Sequence, residues 1–163
     1  GHGTLGRAVG RTAAAFGMQV EIANRPGAPR LAGRVDLDEL LPRADVLSLH
    51  CPLTDATRGL MGAARLARMK SDAVLINTSR GALVDAGALA AALKAGRLGG
   101  AGIDVLEREP PPHDHPLLDP AVPNLILTPH VAWAAREARQ RCLDELALNV
   151  TDFLAGRRRN RVC

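Results

Sequence analysis

Apolar positions along the chain fall into short runs, and most runs are followed by a longer stretch with helical spacing. Gly1-His2-Gly3-Thr4-Leu5-Gly6 opens a helical pattern that reaches about Phe16. The apolar segment 18–23 reads as a strand, followed by a Pro/Gly-rich loop, a short helix near 37–41 and a strand at 46–49. A loop at 50–57 leads to a helix near 63–69. The unbroken run at 73–76, bounded by polar residues, reads as a buried strand. A helix at 86–98, a strand at 102–105, a Pro-rich loop, a strand at 125–127 and a final helix at 134–154 complete the pattern. Strands alternating with helices at this spacing predict βαβ units, a parallel sheet and right-handed crossovers. The expected fold class is therefore α/β, a Rossmann-type doubly wound sheet. In such sheets ligands bind beyond the carboxyl ends of the strands, so the chemistry belongs in the loops that begin there.

Composition narrows this further. The chain has 163 residues, 47% of them hydrophobic, with no Tyr, two Phe and one Trp. The core must then be built from Leu, Val, Ile and Ala, which suits helices on a buried parallel sheet. The formal charge of +4 comes almost wholly from Arg, part of it in the tail Arg157, Arg158, Arg159 and Arg161. With no aromatic residues interleaved to stack bases, this run reads as a solvated terminus, and no nucleic-acid partner is expected. Cys51, Cys142 and Cys163 lack metal-ligand spacing, so a reducing, cytoplasmic setting and no metal are expected. No apolar stretch is long enough to predict a membrane span. The chain begins inside a motif, at Gly1, without an initiator Met or a preceding strand, and reads as part of a longer protein.

Candidate chemistry begins at the glycine loop. In G-x-G-x-x-G, Gly1 allows a tight turn, Gly3 close approach of backbone to a pyrophosphate, and Gly6 helix–sheet contact. The N–H groups at the helix start, around Thr4 and Leu5, can then hold phosphates. Some 18 residues past Gly6, where an acid normally meets the ribose 2′-hydroxyl, stand Asn24 and Arg25. A missing carboxylate beside an Arg favours the 2′-phosphate, hence NADP. The alternative is that Asn24 bonds the 2′-hydroxyl of NAD while Arg25 faces solvent or adenine.

Three later segments carry reactive groups. Arg80, in Asn77-Thr78-Ser79-Arg80-Gly81, can grip a substrate carboxylate with its planar fork of donors, or can be a surface Arg in a turn. Asp104 and Glu109 flank the exit of a strand. His130 lies where an apolar strand stops. Hydride transfer to a carbonyl needs a proton donor at the oxygen, a cation near the developing charge and a clamp on the carboxylate. A His paired with a carboxylate meets the first need, and Arg80 can serve the others.

Val74-Leu-Ile-Asn-Thr-Ser-Arg-Gly-Ala-Leu-Val-Asp85 resembles the signature of the D-isomer-specific 2-hydroxyacid dehydrogenases. Gly100-Ala-Gly-Ile-Asp-Val-Leu-Glu-Arg-Glu-Pro-Pro111 and Leu127-Thr-Pro-His130 resemble it too, and with the glycine loop the likeness covers nearly the whole chain. The resemblance implies that Arg80 binds substrate, Glu109 pairs with the base, and His130 is the acid/base. It places Asp104 near the nicotinamide, Thr78 and Ser79 in the loop lining that pocket, and His50, Cys51 and Pro52 along the adenosine side. It further implies a small 2-oxo or 2-hydroxy acid as substrate, NAD or NADP as coenzyme, and a homodimeric parent. Within the family, His130-Val131-Ala132-Trp133-Ala134 and the segment from Asn149 to Val162 look like glycerate dehydrogenase or hydroxypyruvate reductase. Trp133 is either a wall of the substrate pocket or a packing residue at a helix start. Asn24 departs from the acid of NAD-specific members.

Family members have two domains with the active site between them. Residues 1–133 are then the coenzyme domain without its first strand, and 134–163 a helix and tail that pack on a substrate domain largely outside this chain. By this reading the isolated polypeptide is inactive. A corepressor of the same fold that senses dinucleotides, or a fragment without function of its own, are the alternatives.

Overall fold

The structure is a computed structural model and describes residues 1–26 and 28–161. Gly27, Val162 and Cys163 therefore lie outside the described residues, and with Val162 the end of the glycerate dehydrogenase-like tail. By contacts the chain forms two compact units, Gly1–Pro129 and His130–Cys163.

In the first unit the strands β1 (Val46–Leu49), β2 (Val74–Asn77), β3 (Gly100–Ile103) and β4 (Leu125–Leu127) form one parallel sheet in sequence order. Helices α1 (Thr4–Ala15), α2 (Leu37–Leu40), α3 (Ala63–Leu66) and α4 (Ala86–Lys94), with short 3-10 turns at Gly81–Leu83 and Pro116–Leu118, make the connections. The fold is the Rossmann-type α/β sheet that the alternating pattern predicts.

The core lies against the sheet face carrying Leu47, Leu49, Leu75, Ala101 and Ile103, all buried at alternate positions. Leu66 of α3, Leu89 and Leu93 of α4, Leu83 and Leu117 complete it. Local chemistry fixes the helix ends. The Asp36 carboxylate accepts from the Asp38 N–H at the start of α2, and Asp85 caps α4 through the Ala88 N–H. Asp38 also takes a two-pronged contact from Arg65, whose third donor reaches the Leu60 carbonyl, tying α2 to α3. That guanidinium is the main reason the Asp38 carboxyl is held below its ordinary pKa.

Three expectations need correction. Segment 18–23 forms no strand; its only ladder contact among the described residues is an isolated bridge between Ala23 and Val35. Beside it lies a cleft of about 660 Å³, lined by residues of this segment and of β1. Among the described residues the segment has no neighbouring strand to pair with along most of its length, and apolar spacing alone cannot supply one. The third strand runs over Gly100–Ile103 rather than 102–105, because its register with β2, from Val74 with Gly100 to Asn77 with Ile103, sets both of its ends. Helix α4 is also shorter than the pattern suggests. It closes after Lys94, with the Arg97 N–H returning to the Ala92 carbonyl in a C-terminal cap.

The second unit contains α5 (Arg136–Leu154). Leu143, Leu146, Leu148, Val150, Phe153 and Leu154 are all exposed on it. The Arg-rich segment after it folds back locally. Arg157 pairs with Asp152 at 2.7 Å and Arg159 with Glu145 at 2.8 Å.

Candidate active site

All four strands are parallel, so their carboxyl ends share one edge, and four of the predicted loops start there. The glycine turn meets the first of them. A Cβ on Gly1 would sit 2.3 Å from the His50 carbonyl oxygen, and one on Gly6 would sit 2.3 Å from the Gly1 carbonyl oxygen. Only glycine permits both approaches. Around Gly3, by contrast, the space is open, and as the N-cap of α1 it supplies no side-chain acceptor to the first N–H groups. A twelve-residue helix thus points uncapped donors and the positive end of its dipole past a bare backbone, which fits a dinucleotide pyrophosphate. Thr4 and Leu5 are exposed in that first turn.

After β1, Cys51 is buried and Pro52 exposed. His50 lies in the lining of the cleft, with its Nε2 2.9 Å from the Ser48 hydroxyl. Burial pushes the His50 imidazole below its usual pKa. The loop is organised by Thr57, fully buried, whose hydroxyl donates to the Pro52 carbonyl and accepts from the Thr54 N–H. Sequence reasoning missed Thr57; the paired threonines at 54 and 57 were the available signal.

The position expected to meet the ribose follows the bridge at Ala23. The Asn24 N–H donates to the Val35 carbonyl, and the Asn24 Oδ1 accepts from the Leu31 N–H at 3.1 Å. Its Oδ1 thereby braces the loop, and its amide carries two donors besides. Arg25 is exposed.

After β2, Asn77 is fully buried and acts as the brace of the Arg loop. Its Oδ1 accepts from the Ser79 N–H and its Nδ2 donates to the Arg80 carbonyl. The Ser79 hydroxyl donates to the Leu49 carbonyl at 2.6 Å, tying the exits of β1 and β2 together. Its proton thus serves the fold, while Thr78 stands exposed. Arg80 is exposed, with Nη1 on the Ser79 carbonyl at 2.7 Å, and makes no ion pair among the described residues. Its other donors are available to an incoming carboxylate.

The Arg loop and the acid loop touch. A Cβ on Gly81 would fall 1.9 Å from the Leu106 carbonyl carbon, so the backbones press together with no room for a methyl group. The Leu106 N–H in turn donates to the Glu109 Oε1 at 2.8 Å. Asp104 is buried; its N–H reaches the Asn77 carbonyl, and its Oδ1 accepts from the Thr128 hydroxyl at 2.5 Å. The exits of β2, β3 and β4 are thus joined through one buried residue, by its backbone N–H on one side and its carboxylate on the other.

His130 opens the second unit with φ of 55°, an unusual conformation outside glycine. Its carbonyl accepts from the Trp133 indole Nε1 at 2.7 Å. Trp133 is exposed among the described residues. Among the described residues no group of three or more His, Cys, Asp or Glu is placed to hold a metal ion.

Residues 1–132 match the family described as D-isomer specific 2-hydroxyacid dehydrogenase, NAD binding domain. A glycerate dehydrogenase of Methylorubrum extorquens is 47% identical over 98% of this chain and 50% of its own length. The TT0316 protein of Thermus thermophilus superposes with a TM-score of 0.84 at 45% identity, over 99% of this chain and 51% of that one. An acyclic imino acid reductase in complex with NADPH and D-Arg gives 0.86 at 38% identity, over 100% and 52%. The chain spans about half the length of the curated relatives it matches. It belongs to the D-isomer-specific 2-hydroxyacid dehydrogenases, carrying their NAD-binding domain.

Proposed function

We propose that the protein carrying this chain is an oxidoreductase that reduces a small 2-oxo acid, hydroxypyruvate or glyoxylate, to the D-2-hydroxy acid. The observation that carries the reading is the set of strand exits. An Arg without an ion pair among the described residues, a carboxylate loop pressed against its backbone and the Thr-Pro-His segment all follow the carboxyl ends of β2, β3 and β4. The similarity to a glycerate dehydrogenase supports the choice of substrate.

The reduced nicotinamide supplies the hydride. Arg80 is assigned the substrate carboxylate, with its two-pronged donors fixing which face of the carbonyl is presented. His130 is assigned the proton delivered to the 2-oxo oxygen, and Glu109 the carboxylate that pairs with it. Asp104, held by Thr128, is assigned to the nicotinamide side. Gly1, Gly3, Gly6 and the start of α1 are assigned the pyrophosphate, with His50, Cys51 and Pro52 along the adenosine and Thr78 and Ser79 toward the nicotinamide.

For the coenzyme we favour NADP. Asn24 brings amide donors and no negative charge to the position where an acid normally meets the ribose, and the exposed Arg25 follows it. A homodimer in a reducing cytoplasm completes the reading. Cys51 and Cys142 are unpaired, and no helix among the described residues is long and apolar enough to cross a membrane. The full-length protein should oxidise NADPH in the presence of hydroxypyruvate or glyoxylate, and more slowly with pyruvate or 3-phosphohydroxypyruvate. Absence of turnover with all four acids and both coenzymes would refute the assignment.

A further inference from the structure

We propose that His115 is a positioning residue of this reductase site, holding through Glu107 the strand-exit loop that carries Glu109. The inference rests on the proposed function for its kinetic consequence, but its geometry stands without it. His115 is 4% exposed and precedes the 3-10 turn at Pro116–Leu118. Its Nδ1 accepts from the Leu117 N–H at 3.2 Å, so that nitrogen carries no hydrogen. The hydrogen of the neutral ring is therefore on Nε2, which faces the Glu107 Oε2 at 3.3 Å. Both ring nitrogens of a buried imidazole are thus committed, one to its own turn and one to the acid loop.

Glu107 is clamped from two directions. His115 holds its carboxylate, and the backbone of Gly81, next to Arg80, presses on its amide nitrogen and on Leu106. The next link is the Leu106 N–H, which donates to the Glu109 carboxylate. A chain of contacts therefore runs from His115 through Glu107 and Leu106 to Glu109, with the Arg80 loop as its backstop. The Glu107 side chain is 46% exposed, so its carboxylate is not needed to fill the core. A half-exposed acid bound to a fully buried donor is an arrangement that fixes a loop's position.

The plain alternative is that His115 only caps its turn, and two substitutions separate the roles. His115→Asn keeps a short acceptor for the Leu117 N–H but is too short to reach Glu107. Glu107→Ala leaves the cap intact and removes the contact from the other side. In the full-length protein each should lower kcat for hydroxypyruvate roughly three- to tenfold, with coenzyme Kd unchanged. Glu107→Gln, which keeps an acceptor, should recover most of the loss, and the double variant should be no worse than the weaker single one. Hydrogen exchange of the Leu106 amide should accelerate by a similar factor in both single variants. Wild-type kcat and exchange in Glu107→Ala, with a defect only in His115→Asn, would overturn the proposal. If the wild-type protein reduces no 2-oxo acid, the functional reading fails by itself. The exchange of Leu106 then decides the positioning role, and unchanged exchange would refute it.

Discussion

The indole of Trp133 donates a hydrogen bond to the carbonyl of His130, a residue held at a φ of 55°. A left-handed conformation at a non-glycine residue costs on the order of 1 kcal/mol and persists only where neighbours enforce it. The Trp133 indole, bonded to the carbonyl of that residue, is one such neighbour. Trp133→Phe keeps the ring and removes the donor. It should lower kcat of the full-length protein by roughly three- to tenfold, in line with about 1 kcal/mol for one hydrogen bond, and leave coenzyme binding unchanged. Steady-state kinetics beside coenzyme titration would measure both.

The Thr128 hydroxyl binds a buried carboxylate, so its removal leaves Asp104 with one donor fewer. Thr128→Val should destabilise the protein by about 1–3 kcal/mol, whereas Thr128→Ser should stay near wild type. Denaturant midpoints of the two variants provide the comparison.

At Gly81 the conflict is steric. A methyl group would have to displace the Leu106–Glu107 backbone, and with it the loop bearing Glu109. Gly81→Ala should cost about 1–3 kcal/mol and reduce kcat even at temperatures where the protein stays folded. Preserved kcat would mean that the two loops move independently.

We assign coenzyme choice to Arg25, the exposed cation that follows Asn24. Arg25→Ala should weaken NADPH binding roughly tenfold and leave NADH nearly unaffected, because only the 2′-phosphate supplies the extra charge. Equal weakening of both coenzymes would assign this residue to the fold instead.

The sheet is legible in the sequence because β1 and β4 carry apolar runs bounded by turn residues, and their limits agree with expectation. Segment 18–23 misleads for a physical reason. Its composition suits a strand, but a strand exists only where a neighbour completes its hydrogen bonds. The glycine at 100 hides the start of β3, since backbone pairing rather than side-chain periodicity brings it into the sheet. Among site residues, Arg80, Asp104 and Glu109 are recognisable because their chemistry is carried by their own side chains. Asn77, Thr57, Thr128 and His115 act by bonding backbone or other side chains, several of them far along the chain. Such partnerships emerge only once the fold is known.

The account stands or falls on proton transfer at residue 130. His130→Gln in the full-length protein, assayed for hydroxypyruvate reduction alongside direct coenzyme titration, tests it. The expected result is a loss of roughly 10²–10⁴-fold in kcat, with coenzyme dissociation constants within about twofold of wild type. Retained turnover, or a parallel collapse of coenzyme binding, would contradict the assignment of this imidazole as the acid.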